Sequence, residues 1–494
     1  MNHMILAKQT TIFTLFGVLL LFTISCKENT EKTEGSEKKA DTEKKMDIED
    51  IAKRDTYVSI DPSDAAQNCV LTASEFNAWF NSGSVTSNGL VRSANSLGSF
   101  NDNCDFYKWS WQMFLWHFSP KDGSYVYDTE PFYDLEGEEL VVDGVQTKVR
   151  GGKLQKEGQA GLVSGVLMSQ EAGLTPDGSI VYYAIHVNDV YAYMVSGKKT
   201  NSLNLTQFPT TQEDLNMIID YAKDVYNVEI KDGESLAMEL KSSWIKLPAG
   251  ADKSKYITIT SDIPNFTKTS DTEWEWDGTT YKNNVTLAMV GYHVVGSAAG
   301  HPEMIWATFE HNNNVPDVDY YYVDTNGDVQ EQKTLNEDGT PIQKDWTFTN
   351  ASTTMNASNQ MNMELEGTKI IAESEKTISP SSTMRTHPWG NAADSISAVN
   401  NTEIISLNQN INSMLFEGDL RKNYFLVGAT WTSNGVPGVG NQLPVVLGSK
   451  VLANSTMETY FQYKNCFSCH QGGEIEGLSH IFGGISALPI PISD

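Results

Sequence analysis

Near its C-terminus the chain reads Cys466-Phe467-Ser468-Cys469-His470. Two thiols at this spacing add across the vinyl groups of a porphyrin edge, while the imidazole that follows at once takes the iron from one side. The pattern predicts one covalent haem c, with Cys466 and Cys469 as thioether donors and His470 as proximal axial ligand. A plain disulfide or half of a zinc site would use the same thiols. A zinc site needs a second pair of soft ligands, and the chain holds no other C-x-x-C. A thioredoxin-like pair follows a strand in a βαβ unit, whereas a helix-like run, Asn454 to Gln462, precedes this one.

The other cysteines bear on compartment. Thr10 to Ile24 is an apolar run preceded by Lys8 and ending in Thr23-Ile24-Ser25-Cys26. It is short for a membrane span and reads as a bacterial lipoprotein signal over 1–25 with Cys26 as the lipid-attachment residue; an ordinary signal peptide with Cys26 merely nearby is the other reading. Cys69 and Cys104 remain, and in an oxidising envelope they are expected to pair, the alternative being two separate buried thiols. Export, disulfide and haem attachment all require the same compartment.

Residues 26–56 form a Lys/Glu/Thr-rich stretch with hardly an apolar side chain, expected as a disordered lipid-anchored tether. Net charge is -28. Such acidity argues against nucleic acid and anionic lipid as partners, and it favours a basic redox protein, although it also simply keeps an envelope protein soluble. The expected location is the bacterial cell envelope, facing the periplasm or at the cell surface.

Residues 57–450 read as one β-rich α+β body with peripheral helices, and 451–494 as a haem-binding segment. Helices are expected over Ala73–Phe80, over Asn103–Phe118 with the stripe Phe106, Trp109, Met113 and Trp116, from a capping box at Thr210-x-x-Glu213 to Tyr226, and over Asn401–Phe416. The aromatic stripe fits a core better than a haem wall. Strands are expected over Ser179–His186, Ser235–Leu247, Tyr256–Ser261, Val285–Val295, Met304–His311, Tyr320–Val323 and Tyr424–Trp431, with Gly296–Glu303 as a hairpin-like loop. Asp324-Thr325-Asn326-Gly327-Asp328 begins like an EF-hand loop, but Val329 and Leu335 stand where Gly and Glu are needed, so it reads as a hairpin turn.

A small stand-alone cytochrome c folds helices after its motif, and the stretch following His470 is too short for them. The haem is therefore expected to dock on the preceding body. Candidate distal ligands are Met457, which suits a helix core better, and His480, with His293 and His311 on or beside strands, where a lone His is more often a core or surface residue. Two protein ligands would suit electron transfer; an open iron would admit a small ligand, and Glu310, His311 and Arg385 would then be the polar groups for acid/base work or propionate binding.

Four phrases together carry a resemblance: Trp109-Ser-Trp-Gln-Met-Phe-Leu-Trp116, Val290-Gly-Tyr-His-Val-Val295, Ile305-Trp-Ala-Thr-Phe-Glu-His311, and Leu452-Ala-Asn-Ser-Thr-Met-Glu-Thr-Tyr460 ahead of the C-x-x-C-H. From about residue 100 onward the chain resembles a family of exported bacterial single-haem c-type cytochrome-like proteins. The resemblance implies haem attachment by Cys466, Cys469 and His470, and implies no particular reaction. The expected function is that of an envelope-anchored monohaem cytochrome passing electrons to a redox partner, or alternatively a peroxidase- or oxygenase-like haem enzyme with an open distal face.

Overall fold

The period-two runs of the sequence assemble into one large antiparallel sheet. In the computed structural model, which describes residues 61–129, 131–136, 139–142, 165–170, 179–247, 252–433, 435, 446–472 and 475–491, its strands are β1 (Phe132–Glu136), β2 (Glu139–Val142), β3 (Val181–Asn188), β4 (Met238–Lys246), β5 (Thr258–Pro264), β6 (Tyr281–Ala298), β7 (His301–His311), β8 (Tyr424–Thr432) and β9 (Val446–Gly448). They lie in the order β9-β8-β7-β6-β4-β3-β1-β2, and β5 pairs with the first half of the long strand β6. The helices are α1 (Ala73–Trp79), α2 (Asn103–His117), α3 (Asp189–Lys199), α4 (Gln212–Tyr226), α5 (Ala398–Met414) and the short α6 (Ile475–Leu478). The result is a β-rich α+β fold with peripheral helices. The signal, Cys26 and the tether lie outside the described residues, and among the described ones no helix is long and apolar enough to cross a membrane.

Each face of the sheet is covered by different helices, and the larger core cluster reaches both faces, since Tyr183, paired with Ser243, belongs to it. On the first lie α2 and α5, where Phe114 stacks on Phe309 at 4.3 Å and Trp111 Nε1 donates to Asn408 Oδ1 at 2.8 Å. Helix α2 is apolar nearly all round because it is buried nearly all round, and Asp102 caps it by accepting from the Asp105 N–H. Phe106, Trp109, Met113 and Trp116 all belong to this core. On the second face lie α3, α4 and the chain after Cys466, with Phe467, Ile475, Leu478, Phe482 and Leu488 packed against Tyr191 and Ile218. Burying an aromatic or aliphatic side chain of this kind is worth about 1.5–3 kcal/mol. The C-terminal segment therefore shares a core with the body.

Several local expectations shift. The capping box is built by Thr211 and Asp214, each side chain bonding the other's N–H, because the doublets Thr210-Thr211 and Glu213-Asp214 offer two registers and the helix takes the later one. The loop between β6 and β7 is a tight turn at Ala299-Gly300, with Ala298 paired to His301 and Gly300 at φ 78°. Asn454–Gln462 is a run of turns and no helix. Ser455 N donates to Glu310 Oε1 and Thr456 N to Asn454 Oδ1, Met457 N and Glu458 N both return to Asn454 O, and Phe461 N bonds Glu458 O, so the run closes single turns without propagating a helix.

A disulfide joins Cys69 to Cys104, tying the segment before α1 to α2 across a separation of 35 residues. A loop of this length carries about 4 kcal/mol of chain-entropy stabilisation. Replacing both cysteines with Ser should lower the stability in urea unfolding by that amount and raise the m-value, because the chain without the crosslink unfolds to a more open state.

Candidate functional site

Three adjacent strands lay down a grid. Alternation puts Glu239, Lys241 and Ser243 of β4, Val295, His293 and Gly291 of β6, and Trp306, Thr308 and Glu310 of β7 on one face, and the pairing registers align them as Glu239–Val295–Trp306, Lys241–His293–Thr308 and Ser243–Gly291–Glu310. The third row clamps the returning chain. Ser455 gives its N–H to Glu310 at 2.7 Å, Thr456 Oγ1 lies 2.7 Å from Ser243 Oγ, and a Cβ on Gly291 would meet Thr456 Oγ1 at 2.4 Å. Only glycine lets the turn lie that close.

The first two rows floor a cavity of about 580 Å³, roofed by Leu452, Ala453, Glu458, Phe461 and the motif itself. Cys466, Cys469 and His470 all line it. The motif is a single tight turn, with Cys469 N and His470 N both donating to Cys466 O at 3.1 and 2.9 Å, and it hangs on Asn465, whose amide donates to Thr430 Oγ1 and Ser449 O. A turn of that kind brings the two thiols and the imidazole to one wall. Both thiols are free, and burial raises the Cys466 thiol well above its ordinary range.

His470 is fixed from three directions. Its Nδ1 donates to Leu478 O at 2.7 Å, Trp306 lies against its ring at 4.2 Å between centroids, and His480 stacks on it at 4.1 Å and 19°. The bond to Leu478 places the proton on Nδ1 and leaves Nε2 as the nitrogen that can ligate. Burial first, then the neighbouring His480, Lys241 and His293, push the ring's pKa down to about 3, so it is neutral and ready to ligate at physiological pH. Leu478 is held in turn because α6 is buried on the second core and Ser479 Oγ bonds both Glu239 and Tyr191.

Of the other residues singled out in the sequence, His480 reaches the motif, stacked on the face of His470 with Nε2 on Cys469 O at 3.2 Å. Met457 is wholly buried in the first core and does not line the cavity. His311 stacks on Tyr256 and bonds Lys255 O and the Asn313 N–H, away from the cavity. Glu310 and Arg385 pair at 2.8 Å in the interior, Arg385 also holding Asp317 and lying over Phe425. These charges are structural. Since Glu310 also anchors Ser455, Glu310→Ala leaves Arg385 buried without this partner and frees the clamped turn; it should cost about 3–5 kcal/mol in urea unfolding.

The cavity also contains groups that local patterning did not single out: Glu239, Lys241, Thr308 and Glu458. Their signal was available in part, as charged residues at alternate positions of an otherwise apolar strand, Glu239 and Lys241 in Met-Glu-Leu-Lys-Ser-Ser-Trp. Glu458 Oε1 lies 3.1 Å from His293 Nε2, and Glu458 Oε2 accepts from the Asn454 N–H at 2.8 Å. Burial alone would raise the Glu458 carboxyl, but His293 and these hydrogen bonds hold it below the usual range. His293 Nδ1 is 2.9 Å from Thr308 Oγ1.

A second hollow of similar volume, lined by Gln170, Lys344, Trp346, Asn350 and Ser382, contains neither His nor Cys. Among the described residues no three His, Cys, Asp or Glu side chains gather as a site for a bare metal ion. An iron already held by four porphyrin nitrogens needs only one or two protein ligands. No family model, curated protein or solved structure matches the chain.

Proposed function

We propose that this is an exported, envelope-anchored protein that carries one covalent haem c and moves electrons through it. The observation that carries the reading is the C-x-x-C-H turn set in a cavity wall with His470 Nδ1 bonded to Leu478 O, which presents two thiols and one ligating nitrogen to the same space. The residues fit the group. A volume of about 580 Å³ lies in the range of cofactor sites, Val295, Trp306, Leu452 and Phe461 supply apolar surface, and Lys241 and Lys464 supply cations for two propionates. When bound, the haem supplies one-electron redox chemistry.

The chain's own residues do the rest. Cys466 and Cys469 tie the macrocycle, His470 holds the iron, and Trp306 with the Leu478 carbonyl fixes the ring that does so. Cys26, as lipid-attachment residue, would tether the body to a membrane, and the acidic surface would steer a basic redox partner toward it. Intact mass tests the reading. Protein matured in a host that attaches c-type haem should exceed the bare chain by one haem and show reversible oxidised and reduced spectra; the bare mass would refute it.

A second reading, a haem enzyme working on a small molecule, draws support from where the four candidate distal ligands lie.

A further inference from the structure

All histidines of the chain except His3, and all methionines except Met1, Met4 and Met46, lie in described segments, so the histidine and methionine candidates for the sixth ligand can be examined there one by one. Besides His470, only His293 and His480 among them line the cavity. His480 covers the face of the proximal ring and bonds Cys469 O. An imidazole binds iron along its ring edge, so a group stacked on its face sits on the proximal side. His293 is engaged at both nitrogens, by Glu458 and by Thr308.

We infer that the distal face of the haem is open to a small exogenous ligand, and that Glu458, His293 and Thr308 form a proton acceptor beside it. This rests on the haem c reading above. The favoured ligand is a neutral protic molecule HX, of the hydrogen peroxide or hydrogen cyanide kind, that binds as its conjugate base. Charge supports the neutral form, since Glu239, Glu458 and Glu476 outnumber Lys241 and Lys464 around the cavity before the propionates are added. An anion arriving from solvent would meet like charge.

The hydrogen bonds show where the proton goes. An ionised carboxylate only accepts, so His293 Nε2–H donates to Glu458, and Nδ1 is the acceptor for the Thr308 hydroxyl. Asn454 Nδ2 donates to Thr308 Oγ1 at 2.8 Å, with its orientation set by Thr456, whose N–H and hydroxyl both donate to Asn454 Oδ1. Thr308 Oγ1 also lies 3.4 Å from Tyr292 O, a second acceptor for its hydrogen. The proton released as HX binds passes to Thr308 Oγ1, whose own hydrogen moves to His293 Nδ1. The imidazolium so formed donates to Thr308 from Nδ1 and to Glu458 from Nε2, and the hydroxyl turns to Tyr292 O. One bond to hydrogen is broken in HX, one is formed on His293, and no external reductant is needed.

Carbon monoxide and cyanide separate the parts of this inference, because carbon monoxide brings no proton and hydrogen cyanide does. In the haem-loaded full chain, carbon monoxide should shift the reduced spectrum and cyanide the oxidised one. His293→Leu should weaken cyanide binding roughly ten- to a hundredfold, the range lost with a hydrogen bond to a charged group, while leaving carbon monoxide affinity nearly unchanged. Thr308→Val should move cyanide in the same direction and serves if the histidine variant does not fold. A low-spin haem indifferent to carbon monoxide would overturn the open face. Equal weakening of both ligands would overturn the proton acceptor. Absence of haem from the parent chain, seen by mass before any ligand is added, would refute the haem reading itself, and this inference with it.

Discussion

A Cys466→Ala/Cys469→Ala chain, made in a host that attaches c-type haem, should show no haem stain on a denaturing gel where the parent stains fully. Denaturant dissolves every non-covalent contact, so the His470–iron bond and the cavity packing cannot hold the group through the gel; only thioethers can. Either cysteine alone leaves one thioether, so each single variant should still stain. Among the described residues no other cysteine is available to substitute, since Cys69 and Cys104 are bonded to each other, and on the proposed reading Cys26 carries the lipid. His470→Ala separates attachment from ligation, because it keeps both thiols and removes the nitrogen held toward the cavity by Leu478. That variant should stain and lose the proximal ligand's spectrum. Stain persisting in the double variant would defeat the covalent haem reading.

How much of this was legible in the sequence follows from the range of each signal. The C-x-x-C-H turn is a matter of five adjacent residues, and β6 and β8 announce themselves by stretches rich in β-branched and aromatic side chains. The floor of the cavity depends on register between β4 and β6, more distant strands whose alignment sets Lys241 beside His293 and Glu239 beside Val295. No local pattern contains that alignment. Met457 was readable as a buried core residue, but the turn that carries it was not: the apolar spacing suits a helix, while Met457 N and Glu458 N both close on Asn454 O in a single turn for which Gly291 makes room. Its side chain is wholly buried and does not line the cavity. The aromatic stripe of α2 was legible because helical periodicity and burial act on the same scale.

Acid should destabilise the fold through histidines that the core keeps neutral, and the effect can be measured without its packing background. His117 and His186 are 0% and 1% exposed on the first face, and among the described residues none of their ring nitrogens has a hydrogen-bond partner. Burial drives both pKa values down, His186 to about 3 and His117 well below its ordinary range, where the neighbouring His186 lowers it further. In the unfolded chain both titrate near 6.5. Below that pH the unfolded chain takes up protons that the folded chain refuses, so stability falls as pH falls, and it keeps falling until the folded pKa is reached. For His186 the loss from neutral pH to pH 4.5 is about 3 kcal/mol, and His117 adds to it in the same direction. Asp189 works in the opposite sense: burial raises it to about 8, so the folded state holds its proton and gains stability as pH falls toward the unfolded carboxyl's range. The wild-type curve is therefore a difference of opposing sets. His186→Leu and His117→Leu remove two members of the first set, to which His311 and His470 also belong, and their packing cost, being the same at both pH values, cancels when the pH-dependent change in a variant is compared with that of the parent. His186→Leu should reduce the acid-induced loss by about 3 kcal/mol, and the double variant should reduce it further, in urea unfolding at pH 7 and 4.5. A parent and double variant with the same pH dependence would mean that these rings are protonated, or bonded to water, inside the core.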